Sequence, residues 1–154
     1  MGNLGILLLL LVTMGALGFL GSRYLWAVCV FSPVEGYLTK NSEPVSGAII
    51  LQNVDWQGVK TARTTTDETG YFKFYAIYSY SILNLFPFEF VAHQELIAKV
   101  KDQEYLLWRT AKRNPAENSE LQGTPLNFSC DLQDNIRFDH SFDSTIETIC
   151  RWKQ

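Results

Sequence analysis

The sequence predicts a mainly β protein: a two-layered sandwich of about seven or eight strands behind one N-terminal apolar helix. Three observations carry this. A turn-punctuated run from Val34 to Phe74 reads as four short strands. A hairpin pattern follows between His93 and Thr110. Ahead of both, the chain is uncharged and almost wholly apolar from Gly2 to Gly21.

At 154 residues the chain suits one domain plus an appendage. The net charge of −3 leaves no basic footprint, which excludes a nucleic-acid binder of the usual kind. Aromatic residues make up 14% of the chain, enough large side chains for a core. The domain division expected is 1–30 as anchor or signal, and 31–154 as the β domain.

The N-terminal run from Asn3 to Ser22 approaches the roughly 20 residues a spanning helix needs. A second apolar stretch, Tyr24 to Phe31, follows Arg23. One helix from about Leu4 to Val30 can therefore span, with Tyr24 and Trp26 in the aromatic belt. Cleavage as a secretory signal is the rival reading, helped by the small residues Ala16, Gly18 and Gly21. Against it, the apolar core is long and no Lys or Arg precedes it. Arg23 argues weakly for a cytoplasmic domain; the cysteines argue the other way.

Val34 to Leu38 mixes β-branched, aromatic and aliphatic residues and suits a half-buried strand. Asn41-Ser42-Glu43-Pro44 is turn chemistry. Gly47 permits close backbone approach or a bulge before Ala48-Ile49-Ile50-Leu51. Residues 52–58 form a polar hairpin end carrying Trp56. Thr61 to Thr66 alternates like a strand with one wet face. Asp67-Glu68-Thr69-Gly70 is a tight turn, and Tyr71-Phe72-Lys73-Phe74 sets Phe72 and Phe74 on one face. Tyr75 to Phe90 is aromatic and apolar, with a helical turn expected over 79–85. His93 to Val100 and Glu104 to Thr110 form an antiparallel hairpin. Lys112 to Glu120 reads as a polar loop. Leu126 to Leu132 reads as a strand, Gln133 to Ser144 as a polar connection, and Ile146 onwards as one final strand.

Gly36, Pro44-Val45-Ser46-Gly47-Ala48, Thr64, Thr66-Asp67, Gly70, Phe72 and Phe74 together resemble the carboxypeptidase regulatory-like, or transthyretin-like, β-sandwich. More narrowly, Phe31-Ser32-Pro33-Val34-Glu35-Gly36, Gln94-Glu95, Glu104 to Trp108, Lys112-Arg113-Asn114 and Cys130-Asp131-Leu132 resemble an uncharacterised bacterial domain family with this core. The resemblance implies an interaction module and no particular activity.

Cys130 and Cys150 make an even pair in the soluble part, and a bridge between them closes a loop of about 20 residues, worth roughly 3 kcal/mol. Such a bridge implies an oxidising compartment, hence a domain in the periplasm, anchored at the inner membrane or released after cleavage. Two buried free thiols are the alternative. Cys29 lies at the membrane edge.

No nucleophile motif, phosphate loop or metal-ligand spacing is visible, so a non-enzyme without cofactor or metal is expected. The expected function is a membrane-tethered module that recognises a partner protein. Candidate contact residues are Trp56, Tyr78, Tyr80, Phe86, Phe88, Phe90, Lys112 and Arg113. Two other roles stay open: an immunity-type inhibitor of a periplasmic toxin, and a ligand-binding or hydrolytic domain using the aromatic 75–90 segment.

Overall fold

The computed structural model describes residues 27–80 and 89–152. The expected membrane helix up to Trp26, the 81–85 part of the expected helical turn, Phe86 and Phe88 lie outside them; Ala27 to Val30, expected to end that helix, are β-strand instead. Two compact units divide the chain: Met1–Val28 with Ser79–Phe88, and Cys29–Tyr78 with Glu89–Gln154. Nearly all of the described residues belong to the second unit, which is the β body.

The described residues form a β-sandwich of thirteen strands, several only two to four residues long, where about seven or eight were expected. In order they are β1 (Ala27–Phe31), β2 (Val34–Lys40), β3 (Glu43–Pro44), β4 (Ile49–Asp55), β5 (Val59–Thr65), β6 (Tyr71–Phe74) and β7 (Ile77–Tyr80). Then come β8 (Ala92–Val100), β9 (Gln103–Lys112), β10 (Leu126–Asp131), β11 (Arg137–Asp139), β12 (Ile146–Thr148) and β13 (Cys150–Trp152). A 3₁₀ turn, Ser119–Leu121, precedes β10. One sheet runs β11-β12-β9-β8-β4-β5. The other runs β13-β10-β2-β3, with β6 also on β2, and β1 pairs with β7 separately.

The organising stretch folds as its turn residues demand. Asp67 Oδ1 accepts from Thr69 N, Thr69 Oγ1 and Tyr71 N at 2.7–3.0 Å, which closes the turn. Gly70 adopts φ +78°, and a Cβ there would lie 2.3 Å from Leu38 O. Thr66 Oγ1 donates to Val45 O and accepts from Ala48 N, pinning the Pro44–Gly47 loop. Gly47 has φ +72° with open space around it, so positive φ rather than close approach is its use. Asp131 accepts from Thr39 Oγ1, Asn41 N and Ser42 N, holding a left-handed turn against β10.

Alternation puts Val34, Leu38, Phe72, Phe74, Leu126 and Phe128 inside from one sheet. Ile50, Val54, Leu96, Ala98 and Trp108 face them from the other. The Trp108 and Phe128 rings meet at 5.0 Å, and Trp152 packs 5.7 Å from Trp108. Gly36 makes this possible, because a Cβ there would stand 2.5 Å from Phe128 O.

The C-terminal segment differs most from expectation. Residues 146–152 are not one strand: β12 joins β9, and β13 joins β10 in the opposite sheet. The cause is a bulge in β9. Leu96 pairs with Trp108 but Ile97 with Leu106, leaving Leu107 over. The Leu107 carbonyl then accepts from Thr148 Oγ1 at 2.6 Å and Ile149 N at 3.3 Å, where the chain changes sheets. Beyond the crossing, Cys130 and Cys150 oppose each other in register and are bridged. Residues 133–144, expected as plain connection, include β11. Ser79 and Tyr80 belong to β7 and not to a helical turn.

Gly36→Ala is predicted to cost about 1–3 kcal/mol of unfolding free energy, because the added methyl forces β2 and β10 apart. Urea denaturation checks it. Ser129→Ala, an exposed change on the adjoining β10, serves as the comparison and should cost less.

Candidate functional site

Two polar assemblies stand out, one sealed inside the sandwich and one open on its surface. The first begins with Lys112, at the end of β9. β9 alternates after its bulge, so Trp108, Thr110 and Lys112 all turn inward. The Lys112 and Glu120 side chains have zero exposure, and Nζ lies 2.6 Å from Glu120 Oε2. Nζ also donates to Ser32 Oγ at 3.1 Å and Ala116 O at 2.8 Å, which uses all three ammonium protons. Glu120 Oε1 accepts from Ser32 N at 3.1 Å and Gln94 Nε2 at 2.8 Å; Oε2 also accepts from Ser32 Oγ at 2.6 Å. Asn118 N completes Ser32 Oγ at 2.8 Å.

Burial pushes the Glu120 carboxyl up, but the Lys112 charge and the hydrogen bonds outweigh it and hold the group below its ordinary 4.5. Cys29 sits beside this cluster, its Sγ donating to Phe31 O at 3.3 Å, and burial pushes that thiol up. Chemically the cluster is spent. Ser32 is hydrogen-bonded as donor and acceptor, and its lysine neighbour is ion-paired, so neither nucleophile nor base is free. Its work is to fasten the β1–β2 joint, β8, β9 and the 114–120 loop together.

Lys112 therefore departs from the expectation that it offers charge to an outside anion. It lies in a strand and is buried. Its neighbour Arg113 is exposed, ion-paired with Glu89, and donates to Ser144 Oγ at 3.2 Å. Trp56 is half-buried against Phe90, ring to ring at 5.6 Å. Tyr78 is exposed, and its hydroxyl donates to Glu117 at 2.6 Å, a bond that pushes its pKa up to about 12. Tyr80 is exposed in β7. The structure brings Trp56 and Phe90 together and leaves Tyr78 and Arg113 in separate contacts.

The open assembly lies on the outer face of the six-stranded sheet. Register places Thr61, Asn53, Glu95, Arg109, Glu147 and Phe138 in a single row, one residue from each strand. Thr61 Oγ1 donates to Asn53 Oδ1 at 2.9 Å, and Asn53 Nδ2 to Glu95 Oε2 at 3.4 Å. Arg109 donates to Glu95 Oε1 at 2.7 Å through Nη2 and to Glu147 Oε2 at 3.1 Å through Nη1. A neighbouring row sets Asp55 opposite both Val59 and His93. Together these residues line a broad groove of about 590 Å³. Phe138, 60% exposed, and Val59, 71% exposed, form apolar parts of its rim. Among the described residues no cluster of three or more His, Cys, Asp or Glu could hold a metal ion.

Neither assembly was legible as a unit. Lys112 and Glu120 are eight residues apart in a polar stretch, and only the inward parity of β9, set by a bulge, buries the lysine. The outer row joins strands whose register cannot be read from composition.

These features define a disulfide-closed β-sandwich with a sealed polar interior. The chain belongs to the family described as Domain of unknown function (DUF6795), whose profile matches residues 34–135. The match runs from β2 through β10; it takes in Gln94, Lys112, Glu120 and Cys130, and leaves Ser32 and Cys150 outside. No curated protein and no solved structure matches the chain.

The Glu120 carboxyl sits lower in the folded than in the unfolded chain, so the unfolded chain takes up its proton first on acidification. Its contribution is complete above about pH 4.5 and is lost as pH falls through the folded value. Glu35, Asp67, Asp131 and Asp139 are lowered too and act with the same sign. Urea unfolding of wild type and E120Q between about pH 7 and pH 3 separates them. E120Q is expected to start less stable at neutral pH and to lose less on acidification.

Proposed function

We propose that this chain is a non-catalytic, membrane-tethered recognition module of the bacterial cell envelope, with a partner protein docking on the outer face of its six-stranded sheet. The observation that carries the reading is the six-residue row centred on Arg109. Its guanidinium is fixed between Glu95 and Glu147, so it meets a partner already oriented and loses little rotamer freedom on binding. The groove is wide and shallow, which suits a protein surface better than a small substrate. Three carboxylates, Asp55, Glu95 and Glu147, stand there against one guanidinium. A partner patch carrying a Lys or Arg beside an apolar side chain complements that charge and the Phe138 rim.

Compartment and tether rest on two further supports. The Cys130–Cys150 bridge favours an oxidising environment, and the apolar run before Arg23 supplies the anchor. The fold reading within this proposal is the carboxypeptidase regulatory-like, transthyretin-like sandwich. It is supported by the Pro44–Gly47 and Asp67–Gly70 turns flanking strands of a two-sheet body.

The test is capture from solubilised membranes with mass spectrometry, comparing wild type with Arg109→Ala/Phe138→Ala. Loss of a reproducible partner from the double variant, with unchanged thermal stability, supports the reading. Identical recovery from both proteins removes this face as the docking surface.

A further inference from the structure

The outer face of the five-stranded sheet carries a second arrangement, distinct in chemistry from the acidic groove. Register sets Tyr71, Tyr37, Ser129 and Arg151 in one row across β6, β2, β10 and β13. Two residues along, Lys73, Glu35 and Asn127 form a second row. Strand spacing makes the first row about 14 Å long and puts the second about 7 Å from it. Most of the residues lining a groove of about 600 Å³ here are strand residues from these rows or beside them, and Pro125 and Trp152 line it as well.

The aromatic part is held in place. Tyr37 is 51% exposed, and its ring lies 5.3 Å from that of Tyr71 at 53°. Tyr71 cannot swing away, because its hydroxyl donates to Glu35 Oε2 at 2.8 Å. Glu35 is itself steadied by Lys73 Nζ at 3.3 Å, and Tyr71 and Lys73 together hold its carboxyl below the ordinary range. Tyr37 is thus a braced ring with one face toward solvent.

The charges on this face are matched in pairs. Glu35 meets Lys73, and Arg151 meets Asp134 at 3.2 Å. What stays available for hydrogen bonding is the neutral set: the Asn127 amide, the Ser129 hydroxyl and the Tyr37 hydroxyl, none of which makes a side-chain hydrogen bond among the described residues. An apolar plate beside neutral donors and acceptors, with balanced charge, complements a ligand of the same mixed character. A sugar ring has it: one face of C–H groups that rests on the negative face of an aromatic ring, and a rim of hydroxyls for amides and hydroxyls. A basic peptide would find no excess of carboxylate here, and an anionic one no unpaired cation.

We propose that this face binds a neutral glycan chain, with Tyr37 as the stacking platform and Asn127 and Ser129 reading the hydroxyls. The first row is longer than one sugar ring, so an oligosaccharide and not a monosaccharide is the ligand class. The site is separate from the Arg109 face, and neither proposal depends on the other.

The experiment titrates the purified full chain in detergent with neutral hexasaccharides of glucose and of N-acetylglucosamine, and with an oligogalacturonate as the anionic control. Binding is read by calorimetry and by quenching of tryptophan fluorescence. Saturable binding of at least one neutral hexasaccharide is expected. It should weaken roughly tenfold in Tyr37→Ala, with unchanged melting temperature, and stay unaffected by Arg109→Ala. A conservative Tyr37→Phe should keep most of the affinity, which separates stacking from loss of fold. Absence of saturable binding to either neutral sugar, binding of the anionic control alone, or indifference to Tyr37→Ala overturns the proposal.

Discussion

A buried ion pair, Lys112 with Glu120, is the constraint on which the sandwich closes. Taking two charges out of water costs several kcal/mol each, and the pair repays this only with good geometry and full hydrogen bonding. Both conditions are met. Ser32, Gln94 and Ala116 supply the pair's remaining bonds, and Asn118 N in turn donates to Ser32 Oγ. These partners come from separate parts of the chain, so the pair can form only when all of them are in place. That makes it a specifying contact as much as a stabilising one.

The rest of the body is built around turns that bear on that closure. Asp67, Thr66 and Asp131 each tie a loop with a carboxylate or hydroxyl, so the short strands need little length to hold register. The β9 bulge does two jobs. It turns Lys112 inward, and it exposes the Leu107 carbonyl that carries the chain from one sheet to the other. The disulfide lies just past that crossing and fastens β13 to β10. With the Lys112–Glu120 pair consumed in structure, the two outer faces carry the other polar groupings, one acidic with an oriented arginine, the other aromatic and neutral.

Much of the frame was legible in the sequence because turn chemistry is local. Asn41, Gly47, the Asp67–Gly70 turn and the alternation of Phe72 with Phe74 each announce themselves within a few residues. The Cys130–Cys150 bridge followed from counting and from two strand-like flanks. What stayed hidden depends on parity and register. Lys112 looked like surface because lysine usually is, and nothing nearby signals that a bulge has reversed the face it occupies. Ile146 to Trp152 looked like one strand because the crossing at Ile149 is made by hydrogen bonds to Leu107, far away in sequence. Glu95, Arg109 and Glu147 are unremarkable charged residues until three strands are laid side by side.

The direct test of the central claim is a double-mutant cycle on the buried pair, using Lys112→Met, Glu120→Leu and both together, followed by urea unfolding at neutral pH. Each single change leaves an uncompensated buried charge and is expected to cost about 3–5 kcal/mol, while the double variant recovers much of that loss. A coupling of about 3 kcal/mol or more fits the account. Effects that add within about 0.5 kcal/mol would contradict it, because Lys112 and Glu120 would then be independent.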